Sequence, residues 1–202
     1  MPVIRTVLGD VDPAQLGATN YHEHLFQISP LLVGDELDDE DLSGREAALL
    51  KASGFTAMVD ATPFGLGRDP EAVARISAGT GMHVVATTGR HREAHYGADH
   101  PLQVWGVERL AELFVSEVTR GMVVDDALVF ETPDVPRAAA PDGAVVRAGM
   151  LKAGVDYWSI SPFERTTLLA VADAHRTTGA PVMVHLESVS YTHLTLPTIL
   201  LV

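Results

Sequence analysis

The 202-residue chain is 47% hydrophobic and 20% charged, an ordinary balance for a globular fold, and long enough to bury a substantial core as one domain. Its formal charge of −13 argues against nucleic acid or an anionic membrane surface as a partner, because neutralising phosphates requires clustered Lys and Arg. The absence of cysteine excludes disulfides, thiolate zinc sites and cysteine nucleophiles, so any metal must be held by nitrogen and oxygen donors. Met1 to Asp10 carries a single Arg and no sustained apolar run, and no stretch reaches the length of a membrane span. The expected setting is cytoplasmic, with a small-molecule substrate as the main partner and a homodimer left open.

In chain order, short β-rich runs alternate with helical patterns. Strands are expected over Ala18 to Leu25, Phe55 to Thr62, His83 to Gly89, Val146 to Ala153 and Pro181 to Glu187. The first helix is placed at Gly44 to Ala52, with Ser43 and Glu46 spaced as a capping box. The second opens at Asp69-Pro70, an N-cap followed by proline at the first helical position, and closes near Gly79 to Gly81. The third covers Val107 to Arg120, with Val107, Leu110, Phe114 and Val118 on one face and Gly121 as its stop. The fourth begins at Ser161-Pro162-Phe163-Glu164 and ends at Gly179. A strand followed by a helix followed by a strand implies parallel strands with crossover helices, either a doubly wound sheet or a (β/α)₈ barrel.

Three stretches stand outside this cadence. Asp35 to Asp41 packs six carboxylates together and is read as a solvated loop or a frayed helix start. Met122 to Asp142, with three prolines, is read as a long mobile insertion between the third helix and the fourth strand. Gly65-Leu66-Gly67 lacks both the full phosphate-loop spacing and a Walker lysine, so it is read as a tight strand-to-helix turn.

In either fold, ligands gather at the C-terminal ends of parallel strands. Those ends hold His22 and His24, Asp60, the Gly89-Arg90-His91 loop, Lys152 and His185. On an extended strand His22 and His24 share a face about 7 Å apart, a geometry that suits two imidazoles on one zinc ion and equally suits paired structural histidines. Lys152 lies between Leu151 and Ala153, where an unpaired ammonium is costly to bury. It either snorkels to the rim, pairs with Asp60 or Glu187, or serves as a carbamate after adding CO₂.

Gly17-Ala18-Thr19-Asn20-Tyr21-His22-Glu23-His24-Leu25, Val59-Asp60-Ala61-Thr62 with Gly67-Arg68-Asp69, Ala86-Thr87-Thr88-Gly89, Arg147 to Lys152 and Thr178 to His185 together resemble the phosphotriesterase family, in the family's order. The resemblance implies an α/β fold of the (β/α)₈ TIM-barrel type, here truncated after about five βα units. It implies a zinc-dependent phosphotriesterase-like hydrolase of the amidohydrolase superfamily, with two divalent metal ions sharing a bridging water that attacks an ester, lactone or phosphotriester. His22 and His24 are then expected on one ion, His185 on the other, and carboxylated Lys152 between them. Arg90 and His91 become substrate-binding candidates, although the family's efficient lactonases and triesterases tend to carry an aromatic residue where His91 stands. The family takes a further histidine from its sixth strand and its general-base aspartate from its eighth. His193 follows His185 too closely to be that sixth-strand ligand, because a crossover needs at least ~20 residues. After Glu187 the family likeness is lost to the eye, so residues 1–187 are read as the N-terminal portion of one hydrolase barrel and 188–202 as a non-native tail. The alternatives are a non-catalytic fragment and an amidohydrolase acting on C–N bonds.

Overall fold

The computed structural model describes residues 2–132 and 134–186; Glu187, His193 and the stretch expected to be a non-native tail lie outside the described residues. The chain opens with an antiparallel hairpin, β1 (Ile4–Thr6) and β2 (Gly9–Val11). It continues through β3 (Thr19–Glu23), α1 (Glu40–Ala52), β4 (Ala57–Asp60), α2 (Pro70–Thr80), β5 (His83–Arg90), α3 (Val107–Thr119), β6 (Met150–Val155), α4 (Pro162–Thr178) and β7 (Val182–Leu186). Strands β3 to β7 form one sheet in sequence order, and every neighbouring pair is parallel. This is a curled half-barrel with helices in the crossovers, as the strand and helix cadence predicts. No helix among the described residues is long and apolar enough to cross a membrane.

Burial follows from strand position. Strands β4, β5 and β6 are buried almost throughout, as expected for parallel strands covered on both faces. Along β7, Val182, Val184 and Leu186 are exposed. Outside the sheet, Leu110, Phe114 and Val118 place the apolar stripe of α3 in the core, each burial stabilising by roughly 1.5–3 kcal/mol. The hairpin closes the N-terminal end of the sheet through Val7, whose N–H donates to the Val84 carbonyl at 2.8 Å.

Local chemistry fixes the helix ends. The Asp69 side chain caps α2 through the Ala72 N–H, and Ser161 and Glu164 form a complete capping box on α4. Helix α1 starts earlier than its expected capping box. Asp39 is the N-cap, accepting from the Leu42 N–H at 3.0 Å, and Glu40 and Asp41 sit in the first turn, where carboxylates complement the helix dipole. Ser43 is instead buried, its hydroxyl donating to the Leu25 carbonyl at 2.6 Å. The acidic run is thus an exposed loop leading into a helix start. Gly67 adopts φ 72°, and a Cβ there would crowd Ile28, as a tight turn after β4 requires.

The stretch from 122 to 142, expected as a mobile insertion, is tied down. Met122 N–H donates to Val146 O at 2.8 Å, and Ala138 N–H to Met122 O at 2.9 Å, while Met122, Val123, Ala138 and Ala140 are buried. Val146 belongs to this ladder through its own N–H on Ala138 O, which is why β6 starts at Met150 and not at Val146.

Candidate metal centre

Alternation along β3 and the loop after it puts His22 and His24 together, with ring centroids 5.2 Å apart. The curl of the sheet then brings β7 round, so that the His185 ring stands 5.7 Å from that of His22. His91, directly after β5, continues the row at 4.6 Å from His185, and His95 follows at 3.9 Å from His91. Burial is the main reason these rings are held neutral: it lowers His24 to about 3, His95 to about 4 and His185 to about 4, and it lowers His22. The positive charge of Lys152 acts in the same direction on all of them. Neutral imidazoles are the donor form that a divalent cation takes.

Lys152, on β6, is fully buried and does not snorkel. Its Nζ donates to the Ala61 carbonyl at 2.6 Å, and burial draws its pKa down to about 8 while the Asp60 charge opposes the shift. A lysine so placed spends more time as the free amine at neutral pH than an exposed one. Opposite it, Gly89 in β5 has φ 130°, and a Cβ there would run into the Lys152 carbonyl, so only glycine lets β5 and β6 meet at this level.

Arg90 is placed away from the histidines. It is fully buried, with Nε on Thr167 Oγ1 at 2.9 Å, one terminal nitrogen on Leu102 O at 2.7 Å and the other on Phe163 O at 2.8 Å. Its guanidinium lies 3.6 Å from the Phe163 ring centroid. Two nitrogens of the fork join β5 to α4 and the third holds the stretch at Leu102, which corrects the expectation that Arg90 faces substrate. His91 lies in the histidine row, its backbone N–H held by the Tyr96 hydroxyl at 3.0 Å.

Two features escaped the sequence reading. His95 bonds Ser29 Oγ through Nδ1 at 3.0 Å, extending the row beneath the loop after β3. Arg68 forms a buried ionic cluster with Glu117 at 2.5 Å and Asp126 at 2.8 Å, and Asp126 also accepts from the Gly65 N–H at 2.7 Å. Glu117 sits seven residues after Leu110, on the apolar stripe of α3, and a carboxylate in that position was the signal. The cluster fastens the 122–142 stretch to the loop after β4.

A sequence profile of the phosphotriesterase family matches residues 2–129 and 136–201, a range that includes most of the expected non-native tail. The chain belongs to the phosphotriesterase family. It is 34% identical over 203 residues to a phosphotriesterase homology protein of Mycobacterium tuberculosis, covering 92% of this chain and 55% of that one. It is 29% identical to an N-acetyltaurine hydrolase of Tetraodon nigroviridis, covering 90% and 56%. The crystal structure of a lactonase from Listeria monocytogenes superposes with a TM-score of 0.73 at 28% identity, covering 92% and 57%. The chain therefore spans about half the length of the phosphotriesterase-family relatives it matches.

Among the described residues, no group of three or more His, Cys, Asp or Glu side chains is disposed to hold a metal ion as it stands. The donor chemistry nevertheless fits one. His22, His24 and His185 are neutral and adjacent, and Lys152 is a buried amine with a lowered pKa beside them. The lysine counts as an anionic donor only after conversion to the carbamate.

Proposed function

We propose that this chain carries the histidine and lysine part of a metal-dependent hydrolase centre acting on esters, lactones or phosphotriesters. The observation that supports it most is the convergence of His22, His24 and His185 from the two outermost strands of the sheet. His22 and His24 would hold one divalent ion, His185 a second, and carboxylated Lys152 would lie between them, with zinc the expected metal. When bound, such ions lower the pKa of water and polarise the oxygen of the bond to be broken. To carboxylate, the neutral Lys152 amine forms a bond to the carbon of CO₂ and releases one proton, leaving an oxygen donor in place of the buried cation. His91, next to His185, borders the volume in which the substrate would lie.

The test is hydrolysis by the zinc- and bicarbonate-loaded chain of a panel of lactones, aryl esters, phosphotriesters and cyclic amides. Hydrolysis of a C–O or P–O bond, abolished by a chelator and by His22→Ala, is expected. A folded, zinc-loaded chain inert to the whole panel contradicts it. The similarity to an N-acetyltaurine hydrolase motivates the amide arm of the panel, where turnover would reassign the chemistry to C–N bonds. A third reading, a non-catalytic fragment, draws on the half-length match and the absence of a three-residue donor group among the described residues. Zinc uptake without any turnover would favour it.

A further inference from the structure

Helix α3 presents a second face beside its buried stripe. Arg109, Glu112, Ser116 and Arg120 follow one another at spacings of three or four, so helical geometry lines them up. The 122–142 stretch folds over this face, and the two border a cleft of ≈ 340 Å³, to which the stretch adds Val129, Val135 and Arg137. Three guanidiniums and one carboxylate give its lining a formal charge of +2, in a chain whose net charge is −13. Among the described residues none of these arginines has a carboxylate within ion-pair distance, whereas Arg5, Arg68, Arg75 and Arg176 all do. Neutral groups hold two of the three in place. The Arg109 guanidinium lies 3.7 Å from the Trp105 ring centroid, and Arg137 donates one nitrogen to the Gly121 carbonyl at 2.9 Å. Ser116, also in the lining, is buried, and its hydroxyl has no hydrogen-bond partner among the described residues. A buried donor left over in this way is costly, and it counts as one more group for a ligand to satisfy.

We propose that this cleft binds a small organic phosphate, with Arg109, Arg120 and Arg137 around the phosphate and the apolar body of the ligand against Val129 and Val135. A lining charge of +2 matches a phosphate dianion better than a carboxylate, and guanidinium forks fit phosphate oxygens two at a time. The volume is that of a small-ligand site, and its apolar wall calls for more than a bare inorganic ion. The cleft lies on the crossover between β5 and β6, away from both edges of the sheet, and none of its lining residues belongs to the histidine row. The proposal therefore stands apart from the metal reading.

The experiment is titration of the metal-free chain with phenyl phosphate, read by tryptophan fluorescence. The chain has two tryptophans, and Trp158 is exposed, so Trp158→Phe leaves the signal to Trp105 in the cleft. Saturable binding is expected, tighter than that of inorganic phosphate and absent with phenol. Arg120→Gln and Arg137→Gln should each weaken it roughly 10- to 100-fold, as the loss of a charge-assisted hydrogen bond does. Glu112→Gln removes the one like charge and should tighten binding severalfold, while Ser116→Ala should weaken it severalfold without loss of stability. A Trp105 signal unmoved by phenyl phosphate overturns the proposal, as does binding indifferent to both arginine variants. Inorganic phosphate bound as tightly as phenyl phosphate contradicts the organic ligand, and binding lost in His22→Ala would place the phosphate among the histidines instead.

Discussion

His22 and His185 stand on the first and last strands of a five-stranded sheet, yet their ring centroids are 5.7 Å apart. On a flat sheet at about 4.8 Å per strand, four spacings would separate them by about 19 Å, so the curl of the sheet builds this contact. If the pair serves one centre, zinc must stabilise the curled state. Urea unfolding with zinc at a hundredfold excess over its dissociation constant should show a gain of about 2.7 kcal/mol or more, and His185→Ala should reduce it. An equal gain in the variant would place zinc elsewhere.

Lys152 gives a pH signature in the metal-free chain. Its folded-state pKa is about 8 against 10.5 when exposed, so between those values the unfolded chain holds more protons than the folded one. Stability then rises with pH across that window, by about 3 kcal/mol in all, and Lys152→Met should remove this component of the slope. The variant should also be no less stable than the parent at pH 7, because it removes an expensive buried cation. Parallel pH profiles for the two proteins would contradict the assignment.

The Arg68 cluster makes the opposite prediction. Arg68→Met strands the Glu117 and Asp126 carboxylates in the interior and should cost about 3–5 kcal/mol, measured by urea denaturation. Because Asp126 also holds the Gly65 N–H, amide exchange should accelerate at Gly65 together with the 122–142 stretch. Loss confined to α3 would show that the cluster does not fasten that stretch.

Arg90→Lys separates support from substrate contact. A lysine cannot reproduce the three-nitrogen fork over Phe163, so the melting temperature should fall by several degrees, corresponding to about 1–3 kcal/mol. Zinc affinity should not change, since no nitrogen of Arg90 faces the histidines. A selective loss of zinc binding at unchanged stability would return Arg90 to the site.

What the sequence made legible was local. The Asp69-Pro70 and Ser161-Pro162 helix starts are capping chemistry within four residues, and they stand in the structure as expected. The His-x-His pair is placed by strand periodicity, His185 by its position at a strand end, and the parallel strands follow from the alternation of strand and helix. What stayed hidden depended on distant partners. Ser43 looked like a cap because its true acceptor, the Leu25 carbonyl, lies across a loop. Arg90 looked like a substrate contact because the carbonyls that engage it come from residues 102 and 163. The prolines of the 122–142 stretch suggested an excursion, and only the pairing of Met122, Ala138 and Val146 reveals a docked ladder. Thr62 carries no signal of its own in the sequence, and nothing but three-dimensional proximity links it to His24.

The most direct measurement is metal content per chain, by elemental analysis of the monodisperse 202-residue protein loaded with zinc and bicarbonate, with His22→Ala and His185→Ala prepared alongside. The account predicts about one to two zinc ions per chain in the parent and a clear loss in both variants. Zinc at background level in a folded parent, or retained equally by both variants, would contradict it.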